Sequence, residues 1–326
     1  ITKPHSSVNA TPWAFISLAV CMMAGTASLP HVMMRYFTTP SVRTARRSVG
    51  WSLFFIFLLY SSAPMLATLS KISLMDPNLA TGIIGKSITE VQALDWYQNW
   101  NQAKLMFVSD FNGNGTLELN EFFMKGSAVV LATPEIAGLP YVISGLVAAG
   151  GMAAAMSTAD GLVLAISNAL SHDVYYKIIN PKAETAKRLI VARVLLVLIG
   201  FAGATIAALE IQGILGSVIW AFDFAMSGLF FPLVLGVWWK RANAPGAVAG
   251  MLLGLISGTA YLVWVRSGGS GFLGITQLTF GIVGAAVSLV SMIVVSLITA
   301  APDAATQKMV DDVRVPSGKT ILGKQH

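Results

Sequence analysis

Ser157 and Thr158 stand side by side in the segment AAAMSTADG (residues 153–161), inside a long apolar run. Two adjacent hydroxyls with backbone carbonyls nearby form a neutral oxygen cluster suited to a hard monovalent cation. The same hydroxyls can instead bond the carbonyl one turn back in their own helix, and on these residues alone both alternatives stay open. Asp160 and Asp223 also lie within apolar runs, where a charge is costly and marks a functional candidate. Each is a candidate for cation or proton coupling, against the alternative of a structural hydrogen bond. Arg193 lies in such a run too, but only about two turns from its end, close enough to snorkel to the interface.

A second constellation is polar. Asp110, Asn112, Asn114, Gly115 and Glu121 fit D-x-[DN]-x-[DN]-G-x5-E at every position. In a calcium loop of this kind Asp110, Asn112 and Asn114 supply side-chain oxygens and Thr116 a carbonyl. Glu118 acts through water and Glu121 binds bidentately, while Gly115 makes the sharp turn. Apolar support from flanking helices is expected at Phe107, Leu117 and Phe122. Two neutral ligands and the lack of a second loop point to weak affinity and a structural brace. An acidic turn held by its own hydrogen bonds is the alternative.

The elements that carry these residues follow from composition. Of 326 residues, 55% are hydrophobic and 11% charged, against about 25% charged in a soluble domain. Too few polar residues exist to cover a globular surface. The single cysteine, Cys21, excludes an intrachain disulfide, a CxxC pair and a thiolate zinc cage. Seven stretches reach the roughly 20 apolar residues of a spanning helix: 12–36, 48–70, 139–172, 186–210, 213–239, 244–266 and 275–300. The expected fold is an all-α integral membrane protein with seven transmembrane helices. Its parts are an outer N-terminal segment (1–11), a transmembrane core (12–300) with a large outer loop (71–138), and a cytoplasmic tail (301–326).

Orientation follows from Lys and Arg. With the N-terminus outside, 14 of the 21 basic residues fall on inner connectors and the tail, and six on the outer side. The N-terminus is therefore expected outside and the C-terminus in the cytoplasm. No basic patch remains for nucleic acid. The chain begins with Ile on the outer side without an export signal, so further spans are expected upstream.

Two spans depart from simple helices. The first carries Gly25-Thr26-Ala27-Ser28-Leu29-Pro30 within its apolar run. Such a break either frees backbone groups for a binding site, as in the discontinuous helices of secondary transporters, or makes a simple proline kink. The third, 34 residues from Leu139 to His172, is about 50 Å long at 1.5 Å per residue. It must tilt strongly or project from a hydrocarbon core of about 30 Å. Gly246, Gly250, Gly254 and Gly258 form a stripe on one face of the sixth span, a signature of close helix packing.

Three segments resemble the solute:sodium symporters in their acetate permease-like, bacterial form: GTASLPHVMMRYFTTPSVRTARRSVGWS (25–52), AAAMSTADGLVLAISNALSHDVY (153–175) and FFPLVLGVWWKRANAPGAVAGMLLG (230–254). The resemblance implies a LeuT-type fold of two inverted repeats. Spans one to five would be the second repeat, and spans six and seven additions after it. It implies a sodium site formed by the Ala154 carbonyl and the Ser157 and Thr158 hydroxyls, with Gly25, Thr26 and Ser28 facing the substrate. The implied activity is sodium-coupled symport of a small organic solute by alternating access in a bacterial inner membrane. The Pro30-His31 pair and Ser171-His172-Asp173 lean towards a monocarboxylate such as acetate. Sodium is the expected coupling ion, with calcium as a candidate in the outer loop; the other partners are the solute and the bilayer. The oligomeric state stays open. No covalent step is needed, so the chain is not expected to be an enzyme. A seven-helix calcium-responsive receptor shares the topology and is the rival class, with a membrane sensor domain as a third.

Overall fold

The computed structural model describes residues 11–209, 211 and 213–314, without the side chains of Arg35, Phe37, Val313 and Arg314. Residues 1–10 of the expected outer segment and 315–326 of the tail lie outside that description. The chain divides into two compact units, residues 46–163 and residues 1–45 with 164–326.

Among the described residues, six helices are long and apolar enough to cross a membrane: 42–75, 141–179, 185–208, 214–238, 244–266 and 281–298. They coincide with the second to seventh expected spans. The first expected span is shorter than anticipated. Its regular part is the 17-residue helix α1 (Pro12–Ser28), started by the Thr11 hydroxyl, which accepts from the Ala14 amide, and by a proline in the first turn. Leu29 then turns extended (ψ 117°) ahead of Pro30, because a residue preceding proline is pushed out of the helical region. A short helix α2 (Pro30–Met33) and a 3₁₀ turn (Met34–Thr38) follow. The break therefore falls at Leu29, the last step of the motif, and Gly25, Thr26 and Ser28 remain helical.

In the unit of residues 46–163, helix α3 (Val42–Met75) leads into the segment expected as the large outer loop. This segment is a folded subdomain: α4 (Ile88–Gln92), α5 (Asp95–Gln102), strands β1 (Met106–Val108) and β2 (Phe122–Met124), and α6 (Val129–Ile136). The strands pair antiparallel with Phe107 opposite Phe123, whose rings stack at 4.7 Å. Ile83, Val91, Tyr97, Met106, Leu117 and Ala132 form its core. The Ser70–Thr133 hydroxyl pair, 2.9 Å apart, ties α3 to α6. Helix α7 (Tyr141–Asn168) follows.

The other unit starts with α1. It continues with a π-helical extension of α7 (Ala169–Ile179), α8 (Thr185–Ala208), α9 (Ile214–Ala225), a π-turn (Met226–Phe230), α10 (Phe231–Trp238), α11 (Ala244–Arg266), α12 (Gly281–Ile298) and α13 (Ala304–Arg314). The third expected span is thus 39 residues of continuous helix, longer even than its apolar run.

The glycine stripe does what its period implies. All four glycines of α11 are buried. A Cβ on Gly246 would strike the Ser296 hydroxyl, one on Gly250 would lie 3.0 Å from Met292 Cβ, and one on Gly254 2.8 Å from Ser288 Cβ. On the facing side a Cβ at Gly284 of α12 would lie 2.5 Å from Ser227 Cβ. Small residues on both faces let the backbones approach closely.

Candidate cation and substrate sites

The helical phase of α7 places Ala154, Ser157 and Thr158 on neighbouring positions of adjacent turns, and Asp160 half a turn further on. The Thr158 hydroxyl donates to the Ala154 carbonyl at 3.4 Å, a long and weak bond. All four residues are exposed in the isolated chain. The structure therefore bonds two of the three expected sodium ligands to each other within one helix, on residues that are exposed. In α1, Thr26 donates to the Met22 carbonyl and Ser28 to the Ala24 carbonyl, both at 2.6 Å. These hydroxyls take up the one-turn-back bonds that compete with ligand binding. Gly25 and Ser28 are buried and Thr26 is exposed. Gly25 lets α9 approach: a Cβ there would sit 2.7 Å from Phe222 Cβ.

Asp223, the residue after Phe222, is completely buried between α1, α9 and α12. Neither of its carboxylate oxygens meets a donor in hydrogen-bonding geometry. The Cys21 thiol and the Phe280 and Gly281 amides at the start of α12 lie beside it. Gly281 is a close neighbour, since a Cβ there would stand 3.0 Å from Asp223 Oδ1. A buried, unpaired carboxylate is costly, and a helix N-terminus is the place that offsets part of that cost. The π-turn starts three residues later, and Ser227 in it donates to the Asp223 carbonyl at 2.7 Å. Wide turns of this kind recur at functional sites; nothing in the sequence periodicity marks this one.

Two motifs that are far apart in sequence meet in space. Pro30 and Met34, just after the α1 break, line one cavity of about 550 Å³ with Asn168, His172 and Asp173. His172 packs on Tyr176, and Arg188 lies over that ring at 3.8 Å. The linear sequence holds no signal for this meeting.

The calcium expectation is not supported. The loop has the expected turn, with Gly113 and Gly115 in the left-handed region (φ 71° and 69°). Its flanks are the strands β1 and β2, however, rather than helices. Asp110 accepts the Gly113 and Gly115 amides, and Glu121, fully buried, accepts those of Phe111 and Glu118 at 3.0 Å. Asn112 Oδ1 and Asn114 Oδ1 accept the amides two residues on, and both side-chain amides donate to Glu118. The oxygens expected to converge on an ion are committed to the loop's own backbone and side chains. Among the described residues no three His, Cys, Asp or Glu side chains are placed to hold a metal ion.

Six apolar spanning helices define a multi-pass membrane protein. Residues 125–254 match the family model of the Sodium:solute symporter family. The chain is 41% identical over 295 residues to an uncharacterized symporter of Cupriavidus necator, covering 87% of this chain and 42% of that protein. It is 28% identical over 255 residues to a monocarboxylic acid transporter of Corynebacterium glutamicum, covering 78% of this chain and 39% of that one. These matches place the chain in the sodium:solute symporter family. It spans about two fifths of the length of these relatives.

Proposed function

We propose that this chain is part of a sodium-coupled symporter that carries a small monocarboxylate such as acetate by alternating access. The observation that carries the reading is the reach of the family match: residues 125–254 include the whole helix bearing Ala154, Ser157 and Thr158. The exposed residues on that helix are in keeping with partner ligands supplied by helices outside this chain. On this reading the fold is the second repeat of a LeuT-type transporter with two added helices, in a bacterial inner membrane. Gly25, Thr26 and Ser28 belong to the element that borders the substrate path, Thr26 being the one exposed there, and Asp160 and Asp223 are candidates for coupling. The inward sodium gradient drives the cycle: sodium and solute together favour closure on the outer side, and sodium release opens the inner one.

The location of charge supports the orientation. Lys240, Arg241 and Asp311 gather at one end of the α10–α12 bundle. There Lys240 pairs with Asp311 at 2.8 Å, and Arg241 donates to the Leu297, Thr299 and Ala300 carbonyls that end α12. A basic cluster at that end fits a cytoplasmic face.

Uptake of labelled acetate into vesicles bearing the full-length transporter tests the reading. Uptake is expected to require sodium and to collapse in Ser157→Ala and Thr158→Ala. Sodium-dependent uptake at the wild-type rate in both variants would remove the proposed site, and absence of sodium dependence would remove the coupling.

A further inference from the structure

We propose that Arg266, with the loop that joins α11 to α12, forms a recruitment site for small organic carboxylates at the end of the bundle opposite Lys240 and Arg241. The inference rests on the monocarboxylate reading above for the identity of its ligand, but its geometry is independent of the sodium site.

Arg266 ends α11 and faces a cavity of about 610 Å³ lined also by Gly271, Gly274, Thr276 and Gln277. Among the described residues no acidic side chain lines it. The ion pairs among the described residues are Lys177–Asp173 and Lys240–Asp311, so the Arg266 guanidinium has no anionic partner there. It is nevertheless held in place, over the Trp220 ring at 5.1 Å. A cation stacked on an aromatic face loses little freedom when it then binds an anion. Trp220 is fixed in turn, because its indole N–H donates to the Gln277 carbonyl at 2.9 Å. The platform beneath the guanidinium is therefore tied to a residue of the cavity wall.

The loop itself is strained and pinned. Leu273 adopts φ 51°, ψ 30°, a left-handed conformation that an L-residue with a side chain avoids, and Gly274 follows at φ 74°. Tyr261 holds this shape: its hydroxyl accepts the Phe272 amide at 2.8 Å and donates to the Ile275 carbonyl at 3.0 Å. Strain maintained by specific hydrogen bonds is a recurrent mark of a site built in advance of its ligand. One planar guanidinium and the neutral Gln277 amide, which makes no hydrogen bond among the described residues, match a single carboxylate. Guanidinium and carboxylate form paired, charge-assisted hydrogen bonds. An exposed cation of this kind would raise the local concentration of anionic solute, and salt would screen the effect.

The test uses the full-length transporter in vesicles with acetate as the probe. Arg266→Gln is expected to raise the KM for acetate roughly three- to tenfold at low ionic strength, with kcat unchanged. The shift should shrink at high salt, and Arg266→Lys should restore part of the affinity. An unchanged KM in Arg266→Gln at low salt overturns the proposal. A second readout needs no transport: tryptophan fluorescence should respond to acetate, but not to neutral acetamide, and the response should vanish in Trp220→Phe and Arg266→Gln. Such a response without any uptake would sink the transport reading and keep this site. Uptake without it, or an equal response to acetamide, would sink the site and keep the transport reading.

Discussion

The Thr158 hydroxyl reaches the Ala154 carbonyl of the preceding turn at 3.4 Å, a bond long enough to be given up to a competing ligand. Thr26 and Ser28, bonded at 2.6 Å to their own helix, are far more firmly engaged. Removing Thr158's hydroxyl should therefore cost the fold little and ion binding much. Thr158→Ala is expected to leave thermal stability within about 0.5 kcal/mol while weakening apparent sodium affinity by roughly tenfold or more. Thr158→Ser should behave like wild type. Sodium titration of uptake, alongside thermal unfolding in detergent, separates the two effects.

Asp223 gives the opposite kind of experiment. Its carboxylate is buried without a hydrogen-bonded donor, so removing the charge while keeping the shape costs the fold little. Asp223→Asn, of the same volume, is expected to fold as well as the parent and to lose sodium-driven uptake if the carboxylate takes part in coupling. Full uptake in a well-folded variant would reduce Asp223 to a packing residue at the α12 N-terminus.

The α11 glycines separate packing from propensity. Gly254→Ala would drive a methyl group against the Ser227 carbonyl and Ser288, an overpacking cost of about 1–3 kcal/mol. Gly200→Ala and Gly203→Ala in α8 meet open space and should gain about 0.5–1 kcal/mol each from helix propensity. Melting curves of the purified protein should order the three variants accordingly.

In the subdomain that follows α3, Glu121 takes two backbone amides that would be orphaned without it. Glu121→Ala should destabilise the subdomain by about 2 kcal/mol or more. A calcium chelator should leave the melting temperature of the parent unchanged. A fall on chelation would show that the loop carries an ion after all.

How much of this could be read from the chain depended on the range of the interaction. Span positions were legible because length and apolarity are local properties, and six long helices lie where the apolar runs do. The Gly246–Gly258 stripe was legible because its four-residue period declares a face before the partner is known. The EF-like loop misled for a related reason. Its Asx turns are dictated by local sequence and do form, but whether flanking residues become helix or strand is decided by tertiary pairing, here Phe107 against Phe123. The meeting of Pro30 with His172, and the stacking of Arg266 on Trp220, join residues more than 40 positions apart. No pattern within either segment encodes the other.

The interlocked faces of α11 and α12 also have a mechanical meaning. With backbone nearly against backbone along the stripe from Gly246 to Gly258, no acyl chain can wedge between the helices, and neither can slide without driving a Cβ or a hydroxyl into its neighbour. The pair behaves as one stiff girder. Any bending within this unit must be taken up elsewhere, and the interrupted backbone at Leu29 and the wide turn at Met226–Phe230 are the breaks in regular helix next to it.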